Sequence, residues 1–225
     1  MIPFYFQNPA PLQTEKTLSL FELIKNGGLG GQLIIGLLFM LLLIVTYIYF
    51  ERLFAILSAV KVTPNFMPQI RSFVISGKLE GAQQLCIKEN IPVARLISKG
   101  LSRIGRPLDD INSAIENAGR LEVYQLEKNI SILATISGAA PMLGFLGTVI
   151  GMILSIFEIS NAGGNIDMQL LADGLYTAMT TTVAGLIVGI LGYICYNHLV
   201  VKINKAVYQM EASSLEFLDL LNEPA

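Results

Sequence analysis

Several ordinary ingredients are scarce in this chain of 225 residues. It has no tryptophan, one histidine and two cysteines, and only 14% of its residues are charged. A soluble domain of this size carries about 25% charged residues. Cys86 and Cys195 stand far apart, with no CxxC spacing, so neither a metal-ligand cluster nor a disulfide framework is indicated. His198 cannot form a metal site alone. No phosphate-binding loop or nucleophile–base pattern occurs, so an enzyme, a metal centre and a bound cofactor are not expected. The net charge of −2 gives no reason to expect nucleic acid as a partner.

What is abundant is apolar: 53% of the residues are hydrophobic. Residues 26–50, 129–157 and 174–201 contain no Asp, Glu, Lys or Arg. Each exceeds the roughly 20 residues that a helix needs to cross the hydrocarbon. In lipid, only structures that satisfy their own backbone polar groups can span, so these runs are expected to be helices. An all-α integral membrane protein with three spans and membrane lipid around it follows.

The expected organisation is a lead-in over 1–28, span one over 29–50 and a helical domain over 51–128. Span two covers 129–157, a short loop 158–173, span three 174–201 and a terminal helix 202–225. The lead-in lacks the basic and apolar regions of a signal peptide and contains Pro3, Pro9 and Pro11. Residues 18–25 have apolar positions at helical spacing and suit an amphipathic helix in the interface. Of the fifteen lysines and arginines, only Lys16, Lys25, Lys202 and Lys205 lie outside 51–128, and none lies in 158–173. The excess of cations on the cytoplasmic side therefore puts the large domain and the C-terminus inside, and the N-terminus and short acidic loop outside.

Within the large domain, Gly77, Asn90 and Gly105 punctuate helices over 65–76, 78–89 and 92–104. Pro107 followed by Asp109 and Asp110 starts another. No breaker is evident after it, which predicts one helix from 107 to about 157. Span three likewise continues into the tail. Spans two and three thus extend into the cytoplasmic domain. Span one, bulky and closed by Tyr47, Tyr49 and Phe50, is expected to face lipid.

Span two contains GFLGTVIGMI, an uncharged run with a hydroxyl at Thr148. Pro141, Gly144, Thr148, Gly151 and Ser155 recur at spacings of three and four and so share one face. In span three Ala178, Thr182, Gly185, Gly189 and Gly192 form a similar stripe, with Thr177, Thr181 and Ala184 beside it. Two readings stand. The spacings Gly147-x-x-x-Gly151 and Gly185-x-x-x-Gly189 suit close helix packing, and threonines can bond silently to a carbonyl one turn back. Alternatively, so many hydroxyls mark a polar or watery interior, since a buried hydroxyl without a partner costs roughly 1–3 kcal/mol. The candidate lining residues are Thr148, Thr177, Thr181, Thr182 and Ser155. The candidate packing residues are Pro141, Gly144, Gly147, Gly151, Gly185 and Gly189. No span holds a carboxylate or a cation, so a proton taken up in mid-membrane would need a group from another chain.

The stretches SLFELIKNGG (19–28), FERL (50–53), APMLGFLGTVIGM (140–152) and GLYTAMTTTVAGL (174–186), with Tyr196 and Asn197, carry a resemblance. The chain resembles the MotA/TolQ/ExbB proton-channel family, and its ExbB/TolQ branch above all. The resemblance implies a homopentamer in the bacterial inner membrane with spans two and three around a lumen. It also implies a single-span ExbD- or TolR-like partner that supplies the membrane aspartate. The work of proton flow, in preference to sodium, would pass to a TonB- or TolA-like protein. Thr148 and Thr182 match the family's lumen threonines. ExbB and TolQ members often carry glutamate where this chain has Thr177, so no acidic group is carried over. A non-conducting scaffold and a stator of the gliding or flagellar type are the alternatives; the flagellar branch has a fourth span that is missing here.

Overall fold

The computed structural model describes residues 28–60, 65–161 and 168–222. The lead-in with its amphipathic segment and the centre of the short loop lie outside the described residues. Seven helices and no strand are found among those described. Three of these helical stretches are long and apolar enough to cross a membrane.

The first helix, α1, is Gly28–Val60. Ile34, Leu38, Val45, Ile48 and Ile56 form one stripe along it, each no more than 9% exposed. Leu33, Phe39, Leu43, Tyr47 and Phe54 stay exposed on the remaining surface. The expected lipid-facing helix therefore also has a packed side. It lies against the two long helices that complete the membrane part.

Three short helices follow: α2 Phe66–Ile75, α3 Leu79–Glu89 and α4 Pro92–Leu101. Their ends have identifiable causes. Gly77 (φ +69°) and Gly105 (φ +95°) adopt left-handed backbone conformations that side chains with a Cβ disfavour. Asn90 ends α3 in the same region at φ +46°. Pro92 then opens α4 at the first helical position, where its missing N–H costs nothing. Val93, Ala94, Leu96 and Ile97 make α4 the buried centre of this bundle.

The fifth helix, α5, is Leu108–Glu127 and begins after Pro107, with Asp109 and Asp110 favourably placed at its positive end. It was expected to run unbroken into span two. Instead, Lys128 is extended (φ −52°, ψ 132°) and Asn129 is left-handed (φ +64°). A new helix, α6, then covers Ile130–Asn161. Asparagine tolerates the left-handed region better than most residues, which is why a break can form without glycine or proline. Pro141, by contrast, sits inside α6 without ending it. The last helix, α7 (Met168–Asn222), has 55 residues and would be about 82 Å long at 1.5 Å per residue.

Beyond the membrane, α2, α4 and α5 pack against α7, and α3 packs on α2 and α4. Phe217 of α7 is fully buried, and a Cβ on Gly100 of α4 would come within 2.7 Å of its ring. The bundle is pinned by charge as well. Arg95 of α4 donates Nε and Nη2 to the two carboxylate oxygens of Glu122 of α5, both at 2.6 Å. Its Nη1 donates to the carbonyl (2.8 Å) and Oδ1 (3.1 Å) of Asn90. The hydrogen bonds to Glu122 push the guanidinium pKa above its ordinary value. At the end of α1, Arg52 pairs with Glu51 and reaches the Gln125 carbonyl at 3.4 Å, a long contact.

Glu122 has a side chain only 10% exposed, against 41% for Arg95. Arg95→Ala leaves that carboxylate buried without its partner. Since the pair is only half enclosed, we expect a loss of about 2–3 kcal/mol, below the full range for a buried pair; thermal unfolding of the detergent-solubilised protein measures it. Cys86 of α3 is buried, and desolvation pushes its thiol up to about 11. At pH 8 only about one molecule in a thousand would hold a thiolate. Maleimide labelling of Cys86 in the folded protein should therefore be far slower than in denatured protein and should rise with pH up to that value.

Candidate functional site

The two long helices α6 and α7 run antiparallel and touch through residues that have little or no side chain. A Cβ on Gly144 would stand 2.8 Å from the Thr181 carbonyl oxygen and 3.1 Å from the Thr182 Cα. One on Gly185 would stand 2.6 Å from the Ala140 carbonyl oxygen and 2.8 Å from the Gly144 Cα. Gly147 faces Thr181, Gly151 faces Ala178, and Gly174 faces Ser155. A Cβ on Gly189 would stand 2.6 Å from Pro141 Cγ and 3.0 Å from the Ser137 carbonyl oxygen. That carbonyl is the one that proline deprives of its helical N–H partner. The candidate packing residues Pro141, Gly144, Gly147, Gly151, Gly185 and Gly189 all come together at this contact.

Hydroxyls punctuate the contact, and the structure separates them. Thr181 is fully buried; its Oγ1 donates to the Ala178 carbonyl at 2.7 Å, with the Gly144 carbonyl at 3.3 Å. Ser155 is 5% exposed and donates to the Gly151 carbonyl at 2.9 Å. Both lie between α6 and α7 of one chain, so neither reaches a surface that could line a shared lumen. This corrects the expectation for those two residues: close glycine packing on both helices encloses them. Thr177 belongs to α7, but its side chain lies outside the described residues.

Thr148 and Thr182 are only partly buried. Thr148 Oγ1 donates to the Phe145 carbonyl at 2.6 Å, and Thr182 Oγ1 to the Gly144 carbonyl at 3.2 Å, across the helix pair. Each hydroxyl has committed its hydrogen to the backbone and keeps lone pairs as acceptors. Thr180 is likewise bonded, to the Tyr176 carbonyl at 2.9 Å. The hydroxyls of Thr148, Ser155, Thr180, Thr181 and Thr182 are therefore all satisfied by carbonyls. Their number alone does not call for water, and the desolvation argument from sequence loses its force.

What marks Thr148 and Thr182 is direction. Helix α1 lies on one side of the pair: Gly30 comes within 3.2 Å of Ile150 Cγ2 if given a Cβ, and Tyr49 Oη meets His198 Nδ1 at 2.9 Å. On a helix with 3.6 residues per turn, Ile150 lies about 160° around from Thr148, and His198 about 160° from Thr182. Both threonines therefore sit on the flank turned away from α1. Phe145 (65% exposed), Met152, Met179 (67%) and Leu186 fringe that flank. Reading the sequence did not reveal the Tyr49–His198 and Gly30–Ile150 contacts, which join residues far apart in the chain and carry no local signature.

Residues 88–212 match the MotA/TolQ/ExbB proton channel family. The chain belongs to that family. Its relatives place it on the ExbB/TolQ branch. A putative biopolymer transport protein ExbB homolog from Methanothermobacter thermautotrophicus is 30% identical over 150 residues, 66% of this chain and 52% of the relative. The biopolymer transport protein ExbB of Aquifex aeolicus is 38% identical over 88 residues, 39% of this chain and 59% of the relative. The Tol-Pal system protein TolQ of Haemophilus influenzae is 30% identical over 113 residues, 50% of this chain and 49% of the relative. The chain thus spans about half the length of these curated relatives. The matched region includes α5, α6 and most of α7, and with them the glycine contact and both flank threonines. Membership and the apolar helices together make this a multi-pass membrane protein.

The backbone-to-Cβ distances give a direct test. Gly144→Ala and Gly185→Ala must force α6 and α7 apart and should each cost about 1–3 kcal/mol, the range for overpacking. Gly36→Ala and Gly138→Ala, where a Cβ meets nothing within 4 Å, should be neutral or slightly stabilising. Thermal denaturation of the four variants in one detergent measures the contrast.

Proposed function

We propose that this protein is a proton-channel subunit of an energy-transducing motor in the bacterial inner membrane, with its N-terminus in the periplasm and its C-terminus in the cytoplasm. It acts as a homopentamer around a single-span ExbD- or TolR-like partner, and the work passes to a TonB- or TolA-like protein that serves outer-membrane transport or envelope maintenance. The observation that carries this reading is that Thr148 and Thr182 share the flank of the α6–α7 pair opposite α1. With α1 toward lipid, that flank is the one available to a shared interior.

The chemistry is a neutral lining. Both hydroxyls direct lone pairs outward because their hydrogens are held by carbonyls. Such acceptors suit a protonated carboxylic acid or an ordered water on the partner, and they place no fixed charge that would trap the ion. One charge crossing 100 mV releases about 2.3 kcal/mol, comparable with a few hydrogen bonds of about 1 kcal/mol each. The driving force is thus sufficient to exchange these contacts. No carboxylate lies in the spans, so the titrating acid belongs to the partner, and proton is the ion favoured over sodium.

A scaffold that merely holds a partner is favoured by one fact: every hydroxyl described above already has a bond within the chain. Valine substitution separates the two. Thr148→Val and Thr182→Val should each lower proton flux through the reconstituted complex about ten-fold, the equivalent of one lost hydrogen bond of about 1.4 kcal/mol. Thr180→Val, on a different face, should leave flux within about two-fold of the parent. Undiminished flux in both valine variants with normal assembly would overturn the role given to the two hydroxyls, and a parent complex that assembles but passes no protons would overturn the channel reading and leave the scaffold.

A further inference from the structure

We infer that the break between α5 and α6, at Lys128 and Asn129, is a joint on which the cytoplasmic bundle and the membrane helix move relative to each other. As a motion of the subunit, it rests on the functional reading above. The joint itself rests on three observations.

The first is a contrast between two asparagines. Among the described residues, Asn90 and Asn129 are the non-glycine residues with positive φ. Asn90 is locked, because Arg95 Nη1 binds both its carbonyl and its side-chain oxygen at 2.8 and 3.1 Å. Asn129 holds its left-handed conformation (φ +64°) with only its carbonyl engaged, by the Ile132 N–H at 3.3 Å. Among the described residues, no side chain bonds to it. A left-handed residue without such a lock has the right-handed helical state as its nearest competitor, and that state at Asn129, with Lys128 turning from extended (ψ 132°) to helical, would fuse α5 and α6 into one rod.

The second is space. A cavity of about 360 Å³ lies beside the break, lined on one side by Glu127, Ile130, Ser131 and Ala134 and on the other by residues of α7 such as Tyr196 and Asn204. Ile130 and Leu133 at the base of α6 are themselves buried, so this open groove allows a small change of angle there and not a wholesale shift.

The third is anchorage on both sides. Below the break, α5 is held to α4 by the double bond of Arg95 to Glu122, and its Gln125 carbonyl is reached by Arg52 of α1. Above it, α6 is held to α7 from Ser137 onward by glycine contacts. Helix α7 runs unbroken alongside both parts, so the motion left open is a change of angle between α5 and α6 at this unlocked residue pair.

Spin labels placed at Tyr124→Cys on α5 and Met142→Cys on α6 test this, both positions being more than 70% exposed. The background is Cys86→Ala with Cys195→Ala, and labelled subunits are diluted into unlabelled ones. In a continuous helix the two Cα atoms would be about 27 Å apart at 1.5 Å per residue. Asn129→Ala, which favours the fused helix, should narrow the distance distribution and move it toward that value. Asn129→Gly, which keeps the left-handed state easy, should leave it as broad as the parent or broader. Should Asn129→Ala fail to assemble, Asn129→Gln gives the same expected narrowing. Identical distributions in the helix-favouring and glycine variants would overturn the joint. This readout needs no ion flux, so it stands or fails separately from the roles of Thr148 and Thr182.

Discussion

Everything in the membrane part depends on how closely α6 and α7 approach. Between helices in lipid there is no hydrophobic gain, because the surrounding tails are as apolar as leucine; association must come from dispersion contacts and hydrogen bonds at short range. Gly144 and Gly185 supply that range. With a Cβ distance of 2.8 Å or less to opposing backbone atoms, any side chain there would force the helices apart. Close approach also fixes rotation. Once Gly147 faces Thr181 and Gly151 faces Ala178, the orientation of every other residue on both helices follows. Which hydroxyls are enclosed and which look outward is a consequence of the glycine positions, not of the hydroxyls themselves.

A second constraint concerns charge. The spans keep carboxylates and cations out, whereas the bundle outside them uses a well-made pair, Arg95 with Glu122, to join helices that the turn at Gly105 leaves only loosely connected. A bidentate guanidinium–carboxylate geometry adds orientation as well as energy. It sets α5 relative to α4, while Phe217 locks α4 against α7 through the missing side chain of Gly100. In water such a bundle can rely on burial; in lipid the α6–α7 pair cannot. The same chain thus uses apolar side chains for its core outside the membrane and, where α6 meets α7, their absence.

The difference explains what could be read from the residues alone. Spans were legible because charge-free length is a one-dimensional property, and the small-residue stripes were legible because spacings of three and four survive in the sequence. The inward or outward fate of adjacent threonines was not. Thr181 and Thr182 differ by a single residue, about 100° of rotation, and only the partner helix decides that the first is enclosed while the second remains partly open. Counting hydroxyls overstated the case for a wet interior, since a carbonyl satisfies each one described. The break at Asn129 was missed because asparagine carries no obligatory stop signal; beside an apolar run it reads as one more polar residue before the membrane. The Arg95–Glu122 bond spans 27 positions and left no pattern to detect.

The lining we propose is asymmetric in a useful way. Thr148 and Thr182 are donors toward their own backbone and acceptors toward the outside. An acceptor-only surface favours the protonated, neutral form of a carboxylic acid, whose O–H it can receive; it gives the ionised form nothing to bind unless a hydroxyl gives up its carbonyl. Rotating either hydroxyl hydrogen outward would reverse the preference at the cost of that backbone bond, on the order of 1 kcal/mol net. Two nearly equal states, each suited to one protonation state of an opposing acid, can be exchanged by small rotations with no charged group in the lining. A fixed carboxylate at position 177 would break that balance by favouring one state through charge alone. Under the function we propose, Thr177 adds no such charge, so proton affinity rests with the partner and this chain discriminates between protonation states through the orientation of two alcohols.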